Sequence, residues 1–396
     1  MQKISILFLT NAYPDFDSSY RGIFVKKMAS LLQKDNYEIA VVTPRIYKGS
    51  RYAEDQNGIK IYRFPFFSGN RLLIEYDRIP YLRMLIYYIT GFIFTICILI
   101  KHRCRLIHVH WAIPTGLIGV LIGAVLRKPV VVTIHGSDFR LAMGQSFLLK
   151  KVFFWVCKKA RYLHCVSEVM RREIEKLGIE KEKISTFPMG VDEAFFEKGK
   201  NRKKSLDTPS FTVVSNRNLL PIYNLSLLIR AIPMVLKEEP EVKFIIAGEG
   251  PERQNLEKEV NDLKISSHVQ FLGQIPHGEM PSLLSRANVY VSTSLYDGTS
   301  ISLLEAMACG VFPIVTGIPS NQEWITDDQN GFLISIKNEN HLARKIVEAL
   351  RRPALLTEAG EKNQKIVEER GHWKRTIRGI TGIYEGLSAG DECRVL

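Results

Sequence analysis

Short runs of apolar residues recur along the chain, separated by segments long enough to form helices. In the first half these runs cover residues 4–10, 38–44, 106–111 and 130–135. In the second half they cover residues 211–216, 243–250, 268–273, 288–294 and 311–316. Strands of a parallel sheet are buried on both faces and are joined through helices, so this pattern predicts an α/β protein built from βαβ units.

The rhythm of strands and helices stops over a polar, basic stretch at residues 197–209 and then starts again. A chain of 396 residues is also longer than one hydrophobic core usually supports. We therefore expect two doubly wound domains that join within residues 188–210, with a cleft between their strand ends.

Basic residues are concentrated in the first half of the chain. Residues 1–200 contain 31 Lys and Arg against 17 Asp and Glu, whereas the remainder has 23 and 24. An anionic partner would therefore meet the first half. No motif that reads nucleic acid is present, so we expect no nucleic-acid partner.

The cysteines and the start of the chain indicate a cytoplasmic protein. The six cysteines show no C-x-x-C spacing, which suits free thiols in a reducing compartment. The first apolar run ends in Asn and Pro without a small-residue cleavage site, and it resembles a buried strand more than an export signal.

Two segments of the first half combine apolar and basic residues. Residues 84–100 carry no charge and reach the lower limit for a membrane span, although a buried or interfacial helix is favoured because a strand follows at once. Residues 146–163 interleave lysines with aromatic residues. That pattern fits a helix on an anionic membrane, and equally a core helix with a solvated basic face.

The run STSLYDGTSISLLEAMACG at 292–310 contains the strongest candidate chemistry. A strand ends, a loop with Gly298 follows, and a helix is predicted from Ser300 to Gly310. Such a helix start suits a diphosphate, and Asp297 and Glu305 offer carboxylates to a sugar and a ribose. The spacing alone also fits a capping box of Ser302 and Glu305, with Asp297 starting a turn.

Asp297-x7-Glu305, followed by Ala-Met-Ala-Cys-Gly, resembles the E-x7-E motif of the retaining family 4 glycosyltransferases. The resemblance implies the GT-B fold, in which two Rossmann-like doubly wound domains face a central cleft. It implies that Glu305 binds the donor ribose and Asp297 the sugar hydroxyls, with Gly298, Thr299 and Ser300 beside the donor. Asp297 is one methylene shorter than the Glu of the family.

The segment at 215–231 is similar to the part of the family that binds the diphosphate through a basic pair. Arg217 takes the first position, and Tyr223 stands where Lys is usual. A surface salt bridge is the alternative role of Arg217. Gly248 and Gly250 resemble the glycine turn near the nucleotide, although a plain strand-to-helix turn has the same pattern.

In the first half, VVVTIHGSD at 130–138 resembles the segment whose His reaches the donor sugar or the acceptor. This makes His135 a catalytic candidate together with Arg217 and Asp297; a satisfied structural histidine is the alternative. Asp138 is expected to cap a helix. Gly22 lies where the family has its glycine loop and is the candidate to admit the donor phosphate.

No metal site is expected. His108 and His110 share a strand face and would lie near His135, but no Cys or carboxylate completes a standard zinc ligand set. Asp327 and Asp328 do not form the D-x-D of metal-dependent transferases.

Taken with the residues, the resemblance implies a retaining, metal-independent transferase that uses no cofactor and takes a UDP- or GDP-sugar donor. The acceptor would be a glycan or a lipid-linked molecule, and the basic half would contact an anionic membrane at its cytoplasmic face. The implied domains are residues 1–190 for the acceptor, 191–372 for the nucleotide sugar, and a helix at 373–396 that returns to the first domain. A nucleotide-sugar epimerase and a noncatalytic nucleotide-sugar-binding, membrane-docking protein remain alternatives.

Overall fold

A computed structural model describes residues 3–16, 19, 21–70, 80–144, 146–200, 202 and 211–392. The chain forms two compact units. The first contains the residues up to Phe187 and those from Ile377 onward, and the second is Pro188–Thr376. Each unit has its own sheet and its own buried core.

The first unit is built on an eight-stranded sheet in the order β3-β4-β2-β1-β5-β6-β7-β8. The strands are β1 (Ile4–Thr10), β2 (Tyr37–Arg45), β3 (Ala53–Gln56), β4 (Ile59–Pro65), β5 (Leu106–His110), β6 (Val130–Ile134), β7 (Tyr162–Cys165) and β8 (Ile184–Thr186). Neighbouring strands are parallel except β3, which pairs antiparallel with β4. The order reverses direction between β1 and β5, as in a doubly wound sheet.

Helices connect these strands, and the last helix returns to this unit. They are α1 (Ile23–Lys34), α2 (Tyr81–Lys101), α3 (Leu117–Leu126), α4 (Ser137–Ala142), α5 (Phe147–Lys159), α6 (Glu168–Lys176) and, after the second unit, α15 (Trp373–Glu392). An irregular turn at Ala112–Gly116 precedes α3, and a short 3-10 turn covers Lys181–Lys183.

The second unit has a six-stranded, all-parallel sheet in the order β11-β10-β9-β12-β13-β14. Its strands are β9 (Thr212–Ser215), β10 (Lys243–Ala247), β11 (Val269–Gly273), β12 (Val289–Ser292), β13 (Phe312–Thr316) and β14 (Phe332–Ile334). Its helices are α7 (Glu193–Lys200), α8 (Leu225–Glu238), α9 (Arg253–Asp262), α10 (Met280–Ser285), α11 (Ile301–Ala308), α12 (Pro319–Gln322), α13 (Glu339–Leu350) and α14 (Pro353–Arg370), with a 3-10 turn at Pro221–Tyr223. The sheet order is that of a nucleotide-binding doubly wound fold.

The apolar runs of the sequence form the centres of both sheets. Residues Ile6 to Leu9 of β1 are fully buried, and so are Val131 and Val132 of β6. In the second unit, Val213, Val289 and Phe312 belong to one core that also takes residues of α8 and α13. The predicted α/β class with two parallel-sheet domains is therefore confirmed.

Candidate functional site

The candidate donor residues lie at the switch point of the second sheet. β9 and β12 are neighbours there, and the strand order runs outward from them in both directions. Arg217 follows β9, and Asp297 follows β12. Ligands of doubly wound sheets bind outside the carboxyl ends of the strands at this point.

Arg217 connects three of the predicted donor residues. Its guanidinium donates to Asp297 Oδ2 over 2.5 Å and to Ser300 Oγ over 2.8 Å, and it stacks on the Tyr223 ring at 4.0 Å from the centroid. The side chain is only 7% exposed, which excludes the surface salt bridge considered as its alternative role. Burial alone would lower the pKa of Arg217, but Asp297, followed by Tyr223 and Tyr290, raises it, so the group stays charged.

The start of α11 is capped by Ser300. Its hydroxyl accepts from the Leu303 N–H over 3.3 Å and is also bound by Arg217. Ser302 instead donates to the Asn216 carbonyl, so the capping box of Ser302 and Glu305 is wrong. Gly298, Thr299 and Ser300 are all buried, and the loop before α11 thus presents Asp297 against a fixed helix start.

Gly248 and Gly250 pack the end of β10 onto the segment that carries Arg217. A Cβ at Gly248 would lie 2.3 Å from the Arg217 carbonyl oxygen, and one at Gly250 would lie 2.3 Å from that of Leu219. Gly248 also has a φ of +147°, which L side chains rarely adopt. The two glycines therefore fix the backbone of the Arg217 segment.

Glu305 lies within α11 and is bound by a residue that the sequence did not indicate. His277 Nε2 lies 2.9 Å from Glu305 Oε1, and His277 Nδ1 lies 3.9 Å from Asp192 Oδ2. The Glu305 side chain is 8% exposed. His277 is in an irregular loop after β11, where hydrophobic periodicity gives no signal.

Gly22 is the N-cap of α1 and has a left-handed backbone, with φ 68°. A Cβ there would lie 2.1 Å from the Ala12 carbonyl oxygen, so glycine is needed to close the loop after β1. Arg21 beside it pairs with Asp15 over 3.0 Å and donates to the Asn11 carbonyl. The contact of Gly22 with a donor phosphate stays a prediction.

His135 follows β6 and belongs to a histidine cluster, which consists of His108, His110, His135 and His164. His110 Nδ1 and His135 Nε2 lie 3.1 Å apart, and the ring of His135 also contacts Phe24 and Trp111. Burial, with the neighbouring histidines, holds the pKa of His135 well below its usual value. The imidazole is therefore neutral and suited to a hydrogen bond with a sugar hydroxyl.

Asp138 acts differently from the expected helix cap. Gly136 is the N-cap of α4, and Asp138 sits within the first turn. Its buried carboxylate accepts from the backbone N–H groups of Ala112, His135 and Gly136, which ties the loops after β5 and β6 together. Burial raises the pKa of Asp138 to about 6.

Within the described ranges, no group of three or more His, Cys, Asp or Glu side chains is placed to hold a metal ion. His108 uses both ring nitrogens, one with the Tyr384 hydroxyl at 2.5 Å and one with the Thr133 hydroxyl at 2.7 Å. This part of the histidine cluster is a hydrogen-bond network of the core.

Family comparisons cover most of the chain. The second half, residues 197–366, matches the family described as Glycosyl transferases group 1. The first half, residues 22–195, matches Glycosyltransferase Family 4. The two matches are contiguous and follow the order expected of a two-domain transferase.

Relatives and solved structures agree with these matches. The chain is 24% identical to a phosphatidylinositol N-acetylglucosaminyltransferase component of Arabidopsis thaliana, over 88% of this chain and 74% of that protein. It is 25% identical to the alpha-monoglucosyldiacylglycerol synthase of Streptococcus pneumoniae, over 82% of this chain and 74% of that protein.

The fold is shared with a sucrose-phosphate synthase from Thermosynechococcus elongatus, with a TM-score of 0.81 and 18% identity. The match covers 98% of this chain and 100% of that protein. The fold is also shared with Anabaena HepE in complex with UDP, with a TM-score of 0.74, 18% identity and the same coverage. The chain therefore belongs to the group 1, family 4 glycosyltransferases and has their GT-B fold.

Proposed function

We propose that this glycosyltransferase is retaining and metal-independent, and that it moves a sugar from a UDP- or GDP-sugar to a glycan or lipid-linked acceptor. The observation that carries the proposal is the joining of Arg217, Asp297, Ser300 and Tyr223 at the switch point of the second sheet. A buried cation at a helix start is a site for the diphosphate of a donor.

In this proposal Arg217 stabilises the departing diphosphate. The Ser300 hydroxyl holds the guanidinium in position, so little reorganisation is needed when negative charge develops, whereas Asp297 shares the charge of Arg217 with the diphosphate. Tyr223 offers a ring face and a hydroxyl but no second cation. The sugar gains oxocarbenium character as the bond to phosphate breaks, and the acceptor attacks from the face that the diphosphate leaves.

The other predicted residues are assigned further contacts with the donor or the acceptor. Glu305 accepts from the ribose hydroxyls, and Asp297 accepts from the sugar. His135, held neutral by burial, donates to or accepts from a sugar hydroxyl or the acceptor. Gly22 is assigned to the donor phosphate on the resemblance alone.

The relatives support the lipid-linked alternative for the acceptor, because two of them are named for transfer to phosphatidylinositol or to a diacylglycerol glycolipid. UDP in the structure of HepE supports UDP as the donor nucleotide. A lipid-linked acceptor and free thiols together favour a location in the cytoplasm, at the inner face of the membrane.

The first test is a thermal-shift screen of UDP-, GDP- and ADP-sugars. A donor at 100 times its dissociation constant adds about 2.7 kcal/mol of stability, a shift that is easily measured. Transfer is then followed with Arg217→Ala and Glu305→Ala. Arg286→Ala and Glu241→Ala, which remove the same charges from exposed positions of the same unit, serve as matched controls.

We expect both site variants to lose most of their transfer rate while the controls keep theirs. The product should have the anomeric configuration of the donor by NMR, and excess EDTA should leave the rate unchanged. Equal rates in site and control variants would contradict the site assignment. An inverted product, or a loss of activity with EDTA that added metal restores, would contradict the proposed reaction.

A further inference from the structure

The helix α2 exposes an apolar stripe along its whole length. Leu82, Leu85, Ile89, Ile93 and Ile100 are each more than half exposed, and Cys97 lies on the same stripe. Their spacing of three or four residues places them on one face of the helix. Between Arg83 and Lys101 the helix contains no charge. Soluble proteins rarely expose an apolar surface of this extent without a partner for it.

The opposite face of α2 belongs to the core of the first unit. Tyr87 is fully buried and packs edge-on against Phe64 and Phe66. A Cβ added at Gly91 would lie 2.9 Å from Ile118 of α3, which shows how closely the two helices approach. By length and composition, α2 is the only helix in the described ranges able to cross a membrane. Because its other face packs on the first sheet and on α3, α2 is held as a surface helix of the first unit.

The helices α3 and α5 extend this surface. The connections from β4 to β5, from β5 to β6 and from β6 to β7 all run in the same direction across the sheet. Because such connections are right-handed, α2, α3 and α5 lie on one face of the sheet. α3 contacts both α2 and α5. It exposes Leu121 and Val125. On α5, Phe147 and Leu148 are 70% and 69% exposed. We call the exposed sides of these three helices the membrane face.

The segment that carries these three helices is strongly basic. Residues 80–165 contain twelve Lys and Arg and a single acidic residue, Asp138, which is buried. The α5 lysines 150, 151, 158 and 159 are exposed, and none of them pairs with a carboxylate in the described part of the chain. On the next helix, α6, Arg171 and Lys176 are instead paired with glutamates. Exposed lysines and exposed apolar side chains therefore lie together on α5, which packs against α3.

We propose that the membrane face docks onto an anionic bilayer, with α2 lying in the plane of the interface. Apolar side chains enter the boundary of headgroups and acyl chains, while lysines reach the anionic headgroups. This proposal goes beyond the transfer reaction, because docking requires neither donor nor acceptor. It assigns a binding role to a helix face that the fold leaves uncovered.

Flotation with vesicles tests the charge term. The full chain is mixed with phosphatidylcholine vesicles containing about 30% phosphatidylglycerol, or with pure phosphatidylcholine, at about 50 and 500 mM NaCl. We expect strong binding to the anionic vesicles that weakens at high salt. Replacing the four α5 lysines by Gln should weaken binding about fivefold per residue. The matched control replaces Lys237, Lys264, Lys337 and Lys365, exposed lysines of the second unit, by Gln and should bind like the wild type.

A second variant tests the apolar term. Ile89→Ser with Ile93→Ser changes two exposed side chains of α2 and should abolish flotation while leaving the thermal unfolding midpoint unchanged. Equal binding to both vesicle types, equal loss in both lysine variants, or resistance to extraction at alkaline pH, as for a spanning helix, would each overturn the proposal. Donor binding by thermal shift is scored separately, so a failure of docking is distinguished from a failure of the transferase assignment.

Discussion

The contact between Arg217 and Asp297 predicts an unusual response to the replacement Asp297→Asn. The Asp297 carboxylate lies 2.5 Å from the guanidinium that is proposed to hold the diphosphate, and the side chains of Arg217 and Asp297 are only 7% and 16% exposed. A nucleoside diphosphate must therefore share Arg217 with an anion already in place. Asn keeps the shape of the side chain but removes its charge.

The size of the effect follows from this pair. A hydrogen bond to a charged group contributes about 1.5–3 kcal/mol, and the bond between two charged groups lies at the upper end of that range, whereas the bond from the guanidinium to a neutral amide lies at the lower end. The substitution therefore frees about 0.5–1.5 kcal/mol for the ligand, which corresponds to roughly 2- to 13-fold tighter binding of the diphosphate. Transfer should fall at the same time, because a neutral amide is a poorer acceptor than a carboxylate for the sugar hydroxyls. Isothermal titration with UDP and GDP, beside the transfer assay, measures both.

Asp262→Asn is the matched control for Asp297→Asn. Asp262 pairs with Lys258 on the surface of the same unit, with side chains 61% and 75% exposed, so its loss should leave diphosphate affinity unchanged. Weaker diphosphate binding by Asp297→Asn would refute the reasoning. That result would mean that Asp297 orients Arg217 for the ligand and does not compete with it.

Three further predictions concern stability, each measured by denaturant unfolding. His277→Ala should lower the free energy of unfolding by about 1–2 kcal/mol, because the poorly exposed Glu305 carboxylate loses a donor. Gly22→Ala should cost more than about 1 kcal/mol, because φ is positive and a Cβ would meet backbone, whereas Gly278→Ala has open space and should be neutral. Burial lowers the pKa values of the histidine cluster, that of His164 to about 4. The unfolded chain takes up protons on these histidines near pH 6.5, whereas the folded chain does not. The free energy of unfolding should therefore fall as the pH drops from about 6.5 towards 4. The fall is at most about 1.4 kcal/mol per pH unit for each histidine. The raised pKa of Asp138 opposes this loss of stability in part. His164→Gln should make the free energy of unfolding depend less steeply on pH. A free energy of unfolding that does not change over this pH range would contradict the prediction.

The sequence predicted the central strands of both sheets and the edge strand β11, and it missed β4 and several short strands. Long apolar runs such as β1 and β6 are buried on both faces, so composition alone marks them. The strands β3, β7, β8 and β14 have only three or four residues each, and β3 reads Ala-Glu-Asp-Gln. Such segments are strands because a neighbour supplies hydrogen bonds, and a single sequence does not show that neighbour.

The candidate site was predicted in part for a similar reason. Arg217, Tyr223 and Asp297 stand in motifs with fixed spacing, and the structure brings them together. The helix start predicted near Ser300 is correct, and only the alternative capping box is wrong, because Ser302 finds a partner 86 residues away along the chain. His277 was missed altogether. Its contact with Glu305 is made from a loop that no periodic pattern marks.

The exposed stripe of α2 also contains a natural chemical reporter. Among the cysteines that the structure describes, Cys97 alone is exposed, and the other four are buried. Cys393→Ser removes the one cysteine that lies outside the described residues. In that variant a polar maleimide should label Cys97 when no lipid is present. An environment-sensitive fluorophore at this position would then report the arrival of the protein at a bilayer in real time, without introducing any new cysteine.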